Sequence, residues 1–291
     1  MKVLVFGATG LLGQALMRAA RGRGADVCGI SRHGADVVLD VCDQDSVLAF
    51  ISDFRPDVVF NAAALVDIGA CEADPARAHA VNADAVGTLA RACASVGAKL
   101  VQISTDAFFT GDGDARHDED APVKIVNEYA RSKYVGEKLA LGAPGALVVR
   151  TNIAGFRGEA DRPSFAEWAV AAIRANAEVT LFDDFCLSTI EVNQLADALF
   201  DLIDRGAAGV LNVASSSVAS KKTFIEALAR AMGRSLDHAK TGSVRSLSPP
   251  RPDSLGLDVT RAEALLGRPL PDLDAVIAAL VTEGRLETPA S

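Results

Sequence analysis

Three glycines stand at three-residue intervals directly after the first apolar run of the sequence. Val3 to Phe6 is typical of a buried strand, and apolar residues from Leu11 to Ala20 recur at helical spacing. A strand, a glycine turn and a helix in this order are typical of dinucleotide binding, because glycine lets the chain turn sharply and lets a pyrophosphate reach the N–H groups of the helix N-terminus. We predict that the turn and the first helical residues contact a dinucleotide: Gly7, Thr9, Gly10, Leu11, Leu12 and Gly13.

Short β-branched runs recur along the first half of the chain, with helical patterns between them. They are Val3 to Phe6, Val27 to Ile30, Val58 to Phe60, Leu100 to Ile103 and Leu147 to Val149. Apolar runs of this length that alternate with helices indicate parallel strands covered on both faces. The sequence therefore predicts an α/β fold, with a Rossmann-type doubly wound parallel sheet and a smaller, mostly helical C-terminal lobe for the substrate.

The pattern changes after about residue 150. A glycine- and charge-rich loop covers 155–163, a helix starts at about Ser164, and a helix over 192–202 and a strand over 210–213 return to the main sheet. Residues 214–291 have helical patterns joined by a proline-rich loop over 248–252. We expect a dinucleotide-binding domain over 1–150 and about 186–213, and a discontinuous substrate-binding lobe over 151–185 and 214–291.

Composition narrows the class of protein. The 291 residues carry a net charge of -9 and no cluster of Lys or Arg, which argues against a nucleic-acid partner. No apolar stretch reaches the roughly 18 to 20 residues that span a bilayer, and no signal peptide precedes the first strand, so we expect a cytoplasmic protein without a membrane partner. The five cysteines never form a Cys-x-x-Cys pair, and we interpret them as reduced core thiols with no metal site.

The end of the second strand bears on the choice of cofactor. Ser31 and Arg32 follow Ile30, where an acidic residue would otherwise accept from the adenosine ribose. Because an arginine can pair with a 2′-phosphate, NADP(H) is favoured over NAD(H). The alternative is that Arg32 is solvated in a turn and that Asp36 or Asp40 serves the ribose. We predict that Asp40 and Val41 contact the adenine edge.

Both tyrosines of the chain are followed by a lysine four residues later. The pairs are Tyr129 with Lys133 and Tyr134 with Lys138. On a helix this spacing puts phenol and ammonium on one face, where the cation lowers the pKa of the tyrosine. The two pairs point about 140° apart, so only one faces a cofactor. We choose Tyr129 and Lys133 because the small Ala130 and Ser132 beside them would admit a ribose.

A hydroxyl-rich turn ends the strand at Leu100 to Ile103. Ser104, Thr105 and Asp106 follow it, at the edge of a parallel sheet where ligands bind. Such a turn alone is more often a helix cap, but its place about two dozen residues before Tyr129 favours a catalytic role. We predict that Ser104 contacts the cofactor and that Thr105 and Asp106 contact the substrate.

Taken together, these segments resemble the extended short-chain dehydrogenases/reductases, and among them the dTDP-4-dehydrorhamnose reductases. The resemblance spans nearly the whole chain and is most specific in the Tyr129 to Glu137 segment and in Ser104-Thr105-Asp106. Weaker matches are the glycine turn, Asn61-Ala62-Ala63-Ala64, Val81-Asn82-Ala83, Arg150-Thr151, and Arg251-Pro252 to Leu257-Asp258.

The resemblance implies a role for each matching residue. Tyr129 would protonate a ketone oxygen as hydride arrives, Lys133 would hold the ribose hydroxyls and depress the tyrosine pKa, and Thr105 would orient the carbonyl. The resemblance also implies that Ala62, Ala63 and Ala64 line the cofactor channel. For Asn61 and Asn82 a structural role is as plausible as a functional one.

The sequence departs from the reductase pattern at two places that would lie near the sugar. Ala107 stands where the family usually has an aromatic residue, and Asn152-Ile153 stands where it tends to have Ser-Trp. We nevertheless predict contacts to the sugar or diphosphate from four polar residues: Asn152, Arg157, Ser188 and Arg251.

Several alternatives to a keto-sugar reductase follow from the same residues. A dehydratase needs a glutamate where Ala107 stands, which argues against it. A sugar-nucleotide epimerase shares the Thr, Tyr and Lys set, and net oxidation of the cofactor would separate the two. A non-catalytic nucleotide-binding regulatory protein is disfavoured by the presence of Tyr129 and Lys133. The substrate is a nucleotide-activated sugar or another small carbonyl compound, and the oligomeric state, with a homodimer as one option, stays open.

Overall fold

A seven-stranded sheet forms the centre of the first part of the chain. The computed structural model describes residues 1–159, 161–284 and 286. The strands of this sheet lie in the order β12-β7-β5-β4-β1-β2-β3, and the pairs β5–β7, β4–β5, β1–β4, β1–β2 and β2–β3 are parallel. Their bounds are β1 Lys2–Phe6, β2 Asp26–Ser31, β3 Val37–Val38, β4 Val58–Asn61, β5 Lys99–Ile103, β7 Leu147–Arg150 and β12 Gly209–Asn212. The predicted Rossmann-type sheet is thus confirmed.

Helices connect these strands. They are α1 Leu11–Gly22, α2 Gln44–Phe54, α3 Ile68–Ala73, α4 Pro75–His79, a π-helix Ala80–Asp84, α5 Ala85–Val96, α6 Glu128–Ala140 and α8 Val192–Asp204. Local chemistry sets several ends: Asp43 caps α2, Asn127 caps α6, and α5 ends at Gly97 in the left-handed conformation. One core packs α2 and α5 on the sheet through buried residues such as Val47, Leu89 and Leu100.

A second set of elements is built around short strands. One sheet has the order β13-β10-β15-β6, and two further sheets pair β11 with β8 and β14 with β9. The strands are β6 Arg116–His117, β8 Asn152–Ala154, β9 Thr180–Phe182, β10 Cys186–Leu187, β11 Thr189–Glu191, β13 Ala219–Ser220, β14 Lys240–Gly242 and β15 Ser254–Leu257. The helices are α7 Phe165–Arg174, α9 Lys221–Ala231, a 3-10 turn Val244–Ser246, α10 Thr260–Leu266 and α11 Leu273–Glu283. The buried faces of α7, α9 and α11 form the core of this part.

The chain divides into two compact units. Unit 1 comprises 1–105, 125–150 and 196–211, and unit 2 comprises 106–124, 151–195 and 212–291, of which 160, 285 and 287–291 lie outside the described residues. These bounds differ from the expected ones in three segments, since 106–124, 186–195 and 212–213 fall in unit 2. Strand pairing explains the first two differences. β6 pairs with β15, β10 also pairs with β15, and β11 pairs with β8.

Two further expectations can be compared with the described residues. No helix within 1–159, 161–284 and 286 is both long enough and apolar enough to cross a membrane. All five cysteines carry free thiols; Cys71 and Cys93 are buried, and the other three are partly exposed. Burial raises the pKa of the Cys93 thiol to about 12.

Candidate functional site

The predicted cofactor residues of unit 1 share one edge of its sheet. Phe6 pairs with Ile30 and with Asn61, and Ile103 pairs with Val149, so the turns after β1, β2, β4 and β5 begin at similar levels. The strand order reverses between β1 and β4, and the glycine turn follows β1. In open α/β sheets, ligands bind beyond the carboxyl ends of the strands at this reversal.

The glycine turn is packed so closely that side chains are excluded. Gly7 has φ +79°, and a Cβ built there would lie 2.7 Å from the backbone N of Ala63. A Cβ on Gly13 would lie 2.0 Å from the carbonyl oxygen of Gly7. Gly10 is the N-cap of α1 without any side-chain cap, and no acidic residue lies in the first turn. The positive end of the helix dipole is therefore open to an anion, which fits a dinucleotide pyrophosphate.

The loop after β2 separates the arginine from its acidic neighbour. Thr9 N and Thr9 Oγ1 approach Ser31 Oγ at 3.3 and 3.2 Å, which joins the glycine turn to the end of β2. Arg32 follows and is exposed. The Asp36 carboxylate accepts a hydrogen bond from Gly29 N at 2.8 Å, so it is held on the backbone of β2. This hydrogen bond makes the carboxylate of Asp36 less available to the adenosine ribose. It therefore disfavours the alternative in which Asp36 binds the ribose of NAD(H).

The other residues assigned to the cofactor lie beside this turn or follow β3. Asp40 is exposed and accepts from Cys42 N at 3.0 Å, and Val41 is buried. Ala62, Ala63 and Ala64 are partly buried after β4. Their contacts with a dinucleotide stay predictions.

Asn61 and Asn82 both make hydrogen bonds within unit 1 that fit the structural alternative. Asn61 is buried; its amide donates to Gln102 Oε1 at 2.8 Å and its Oδ1 accepts from Ala63 N at 3.2 Å. Asn82, in the π-helix, bonds both backbone groups of Leu65, at 2.8 and 2.9 Å. These bonds hold the loop after β4.

The small residues near Tyr129 have a different role from the expected one. Ala130 and Ser132 are fully buried, and Ser132 Oγ accepts from the Asn82 amide at 3.0 Å. A Cβ on Gly136 would lie 2.1 Å from the carbonyl oxygen of Asn82. The small side chains therefore let α6 pack on the π-helix, and the prediction that they admit a ribose is corrected.

Tyr129 and Lys133 lie on α6, as predicted. Tyr129 is partly buried in the first turn, and Lys133 is 4% exposed. Lys133 Nζ donates to the carbonyl oxygen of Ile103, the last residue of β5, at 2.6 Å. Burial lowers the pKa of Lys133 to about 8, and the charge of Glu137 opposes this shift. Lys138, in contrast, is exposed and lies 4.8 Å above the ring of Tyr134.

A buried ion pair next to Lys133 was not predicted. Glu137 binds Arg150 in a bidentate manner, with Oε1–Nε at 3.0 Å and Oε2–Nη2 at 2.9 Å, and both side chains are almost completely buried. Ser104 Oγ donates to Glu137 Oε1 at 2.6 Å. Helical spacing could have indicated only that Glu137 shares a face of α6 with Tyr129 and Lys133, because the three residues are four apart in turn. It does not indicate the pairing with Arg150 or Ser104.

This network fixes the backbone directly before Thr105. Ser104 N donates to the carbonyl oxygen of Val149 at 2.7 Å, and the Ser104 hydroxyl is held by Glu137. Thr105 is 5% exposed at the end of β5. The hydroxyl of Ser104 is thus used within unit 1, whereas its contact with a cofactor stays a prediction.

Two of the substrate residues predicted in unit 2 are tied to neighbouring strands. Asn152 Oδ1 accepts from Thr189 Oγ1 at 2.9 Å between β8 and β11. Ser188 has no exposed surface, and its hydroxyl accepts from Leu257 N at 3.1 Å. The expectation that Ser188 contacts substrate is therefore corrected: it joins the strands of unit 2.

The remaining substrate residues lie in two different settings. Arg157 is partly buried, and its guanidinium donates to the carbonyl oxygen of Arg162 at 3.2 Å. Asp106 is 2% exposed and Arg251 is exposed, and the charges of both act on Lys221. Lys221 was not among the predicted site residues, although a lysine in the first turn of a helix is unfavourable next to the helix dipole.

Comparison with known proteins gives consistent matches. A family model described as the RmlD substrate binding domain matches residues 1–285. The chain is 32% identical over 292 residues to a probable low-salt glycan biosynthesis reductase of Haloferax volcanii, covering 96% of this chain and 97% of that protein. It is 33% identical over 297 residues to a dTDP-4-dehydrorhamnose reductase of Mycolicibacterium smegmatis, covering 98% and 88%.

A solved structure matches the fold. The crystal structure of a Bacillus anthracis dTDP-4-dehydrorhamnose reductase in complex with NADP superposes with a TM-score of 0.87 at 23% identity. The match covers 97% of this chain and 99% of that one.

Proposed function

The chain belongs to the family of the RmlD substrate binding domain, within the extended short-chain dehydrogenases/reductases, and on that premise we propose that it reduces the keto group of a nucleotide-activated sugar with NADPH. The observation that carries this proposal is Lys133. A buried lysine four residues after Tyr129, bonded to the end of β5, is the cation that a catalytic phenol requires.

The residues of unit 1 supply the proton chemistry. Tyr129 donates its phenolic proton to the carbonyl oxygen of the substrate, and the cationic Lys133 stabilises the phenolate that remains. Thr105 orients the carbonyl by a hydrogen bond. A bound nicotinamide dinucleotide supplies the hydride that reaches the carbonyl carbon. The phenolate is then protonated again from solvent, so the net change is one hydride and one proton added to the carbonyl.

Three observations support NADP(H) over NAD(H). Arg32 is exposed at the end of β2, the carboxylate of Asp36 is held on Gly29 N, and the Bacillus anthracis reductase of similar fold was solved in complex with NADP. A guanidinium at this position pairs with a 2′-phosphate, which NADP has and NAD lacks. The names of the relatives support a nucleotide-linked keto sugar as substrate. A cytoplasmic location and a homodimer stay predictions.

The proposal is tested by NADPH oxidation against a panel of nucleotide-linked keto sugars. We expect stoichiometric oxidation with at least one sugar and a loss of about 10²-fold or more in kcat for Tyr129→Phe. Tyr134→Phe is the matched control and keeps the wild-type rate, because Tyr134 pairs with the exposed Lys138. Wild-type rates in Tyr129→Phe would refute the proton donor. Conversion of a sugar without net NADPH oxidation would indicate an epimerase. If no sugar were converted, the result would indicate a binding protein.

A further inference from the structure

The hydroxyl of Ser104 is already engaged inside unit 1. Ser104 is 6% exposed, and its Oγ donates to Glu137 Oε1 at 2.6 Å. A hydrogen bond to an ionised carboxylate is short and about twice as strong as a bond between neutral groups. If the hydroxyl turned to a cofactor, it would break this bond and leave a buried carboxylate with one donor fewer. The bond to Glu137 therefore competes with the cofactor contact that the sequence indicated.

The carboxylate that accepts this bond is itself held in place. Arg150 binds both carboxylate oxygens of Glu137, at 3.0 and 2.9 Å, and neither side chain is more than 4% exposed. A bidentate pair of guanidinium and carboxylate fixes the orientation of both groups as well as their distance. Glu137 therefore presents Oε1 to Ser104 in one orientation.

One carboxylate thus connects three elements of unit 1. Glu137 lies on α6, Ser104 directly follows β5, and Arg150 is the last residue of β7. α6 also carries the proposed proton donor Tyr129, and Thr105 follows Ser104 in the chain. The Ser104–Glu137–Arg150 network therefore fixes the end of β5 relative to the helix that carries the phenol.

Two main-chain bonds hold the same end of β5. The carbonyl oxygen of Ile103 accepts from Lys133 Nζ at 2.6 Å, and Ser104 N donates to the carbonyl oxygen of Val149 at 2.7 Å. Ser104 is therefore held through its main chain and through its side chain. Removal of the hydroxyl would leave the main-chain bonds, so the strand would stay in place while Thr105 lost part of its support.

We propose that Ser104 is a positioning residue of the reduction, which keeps the hydroxyl of Thr105 directed at the substrate carbonyl and makes no contact with the cofactor. The inference rests on the proposed function for the role of Thr105. A catalytic hydrogen-bond donor has to be held within about 0.5 Å of its productive position, and a misplacement of about 1 Å can cost about 10²-fold in rate. A serine fixed by a buried carboxylate supplies this precision without touching the substrate.

Kinetics and cofactor binding of Ser104→Ala test this assignment. We expect kcat for NADPH oxidation to fall about 10-fold, while the Kd for NADPH, measured by calorimetry without a sugar, stays within about 2-fold of the wild type. Thr88→Val is the matched control, because this hydroxyl is also buried and bonded to a charged group, Arg91, at 3.0 Å, on a helix without proposed catalytic residues. It should keep the wild-type kcat. An unchanged kcat in Ser104→Ala, or a Kd for NADPH raised about 10-fold or more, would overturn the proposal.

A double variant separates positioning from a general loss of structure. Thr105→Val removes the orienting hydroxyl itself, and we expect it to lower kcat about 10²-fold, as for the loss of one donor to a developing oxyanion. Because Ser104 acts through Thr105, adding Ser104→Ala to Thr105→Val should lower kcat by no more than about 2-fold further. A full additional loss of about 10-fold would show that Ser104 acts independently of Thr105, and would overturn the proposal.

The two proposals fail differently. If the wild type oxidised no NADPH with any nucleotide-linked keto sugar, the proposed function would be refuted, and the role of Ser104 in the reduction with it. NADPH oxidation by the wild type at a rate that Ser104→Ala retained would refute the positioning role alone.

Discussion

Replacing Glu137 by glutamine removes one charge from the buried ion pair of unit 1 and keeps the volume of the side chain. The glutamine oxygen can still accept a hydrogen bond, but the guanidinium of Arg150 loses its carboxylate. Both side chains are at most 4% exposed, so water cannot replace the lost partner. Breaking such a pair by removal of one partner typically costs about 3 to 5 kcal/mol of the free energy of unfolding. We expect a loss at the lower end, about 3 kcal/mol, because the amide retains one acceptor.

Urea denaturation followed by circular dichroism measures this loss. Glu128→Gln is the matched control: it breaks an ion pair with Arg131, 3.0 Å long, on the same helix. Because Arg131 is 53% exposed, this control should cost less than about 1 kcal/mol. The double variant Glu137→Gln/Arg150→Met should recover part of the loss, since it no longer leaves a buried charge unpaired. Equal losses in Glu137→Gln and Glu128→Gln would refute the reasoning.

Glu137→Gln should also change the pH dependence of activity. The reaction needs the cationic form of Lys133, so the rate falls as pH rises through the pKa of this lysine, about 8. The charge of Glu137 raises that pKa, and its removal lowers it. The alkaline limb of the kcat profile should therefore move to lower pH in Glu137→Gln and stay in place in Glu128→Gln. An unmoved limb would contradict the electrostatic role of Glu137.

Two further predictions follow from unit 1. Arg32→Ala should raise the KM for NADPH about 10-fold or more and leave the KM for NADH nearly unchanged; equal effects on both cofactors would refute the 2′-phosphate contact. Lys133→Met should abolish reduction. It should also stabilise the protein by about 1 to 3 kcal/mol at pH 7, because burial disfavours the charged amine of Lys133. The carbonyl oxygen of Ile103 is not left without a donor, since it also accepts a hydrogen bond from the side chain of Gln102. The pKa of Lys133 is lower in the folded state than in the unfolded state, so the free energy of unfolding of the wild type rises between about pH 8 and 10.5. The stability advantage of Lys133→Met should therefore shrink over this range. Urea denaturation of both proteins at pH 7 and at pH 10 measures the change.

Features with a local signal were predictable from the sequence. The apolar runs identified β1, β2, β4, β5 and β7, because strands covered on both faces are apolar throughout. The glycine spacing identified the turn before α1, since Gly7 and Gly13 have no room for a side chain. The spacing of Tyr129 and Lys133 identified their helix, because helical geometry puts residues four apart on one face.

Short strands gave no such signal. β6, β10 and β13 have two residues each, too few for a period of two to be visible. Their pairing with β15 and with one another places 106–124 and 186–195 in unit 2. The pairing joins segments that are far apart in sequence, and strands of two residues carry too few alternating side chains to specify a partner.

The sequence by itself determined the main strands of the sheet, the glycine turn and the Tyr129–Lys133 helix, because the signal for each lies in residues that are close together in the sequence. Only the tertiary structure decided what the polar side chains do. Ser104 and Glu137 are 33 residues apart, and Ser188 and Leu257 are 69 apart, yet each pair is hydrogen-bonded. Whether a serine or a lysine such as Lys221 contacts a ligand depends on its burial and on its partners, and the path of the whole chain sets both.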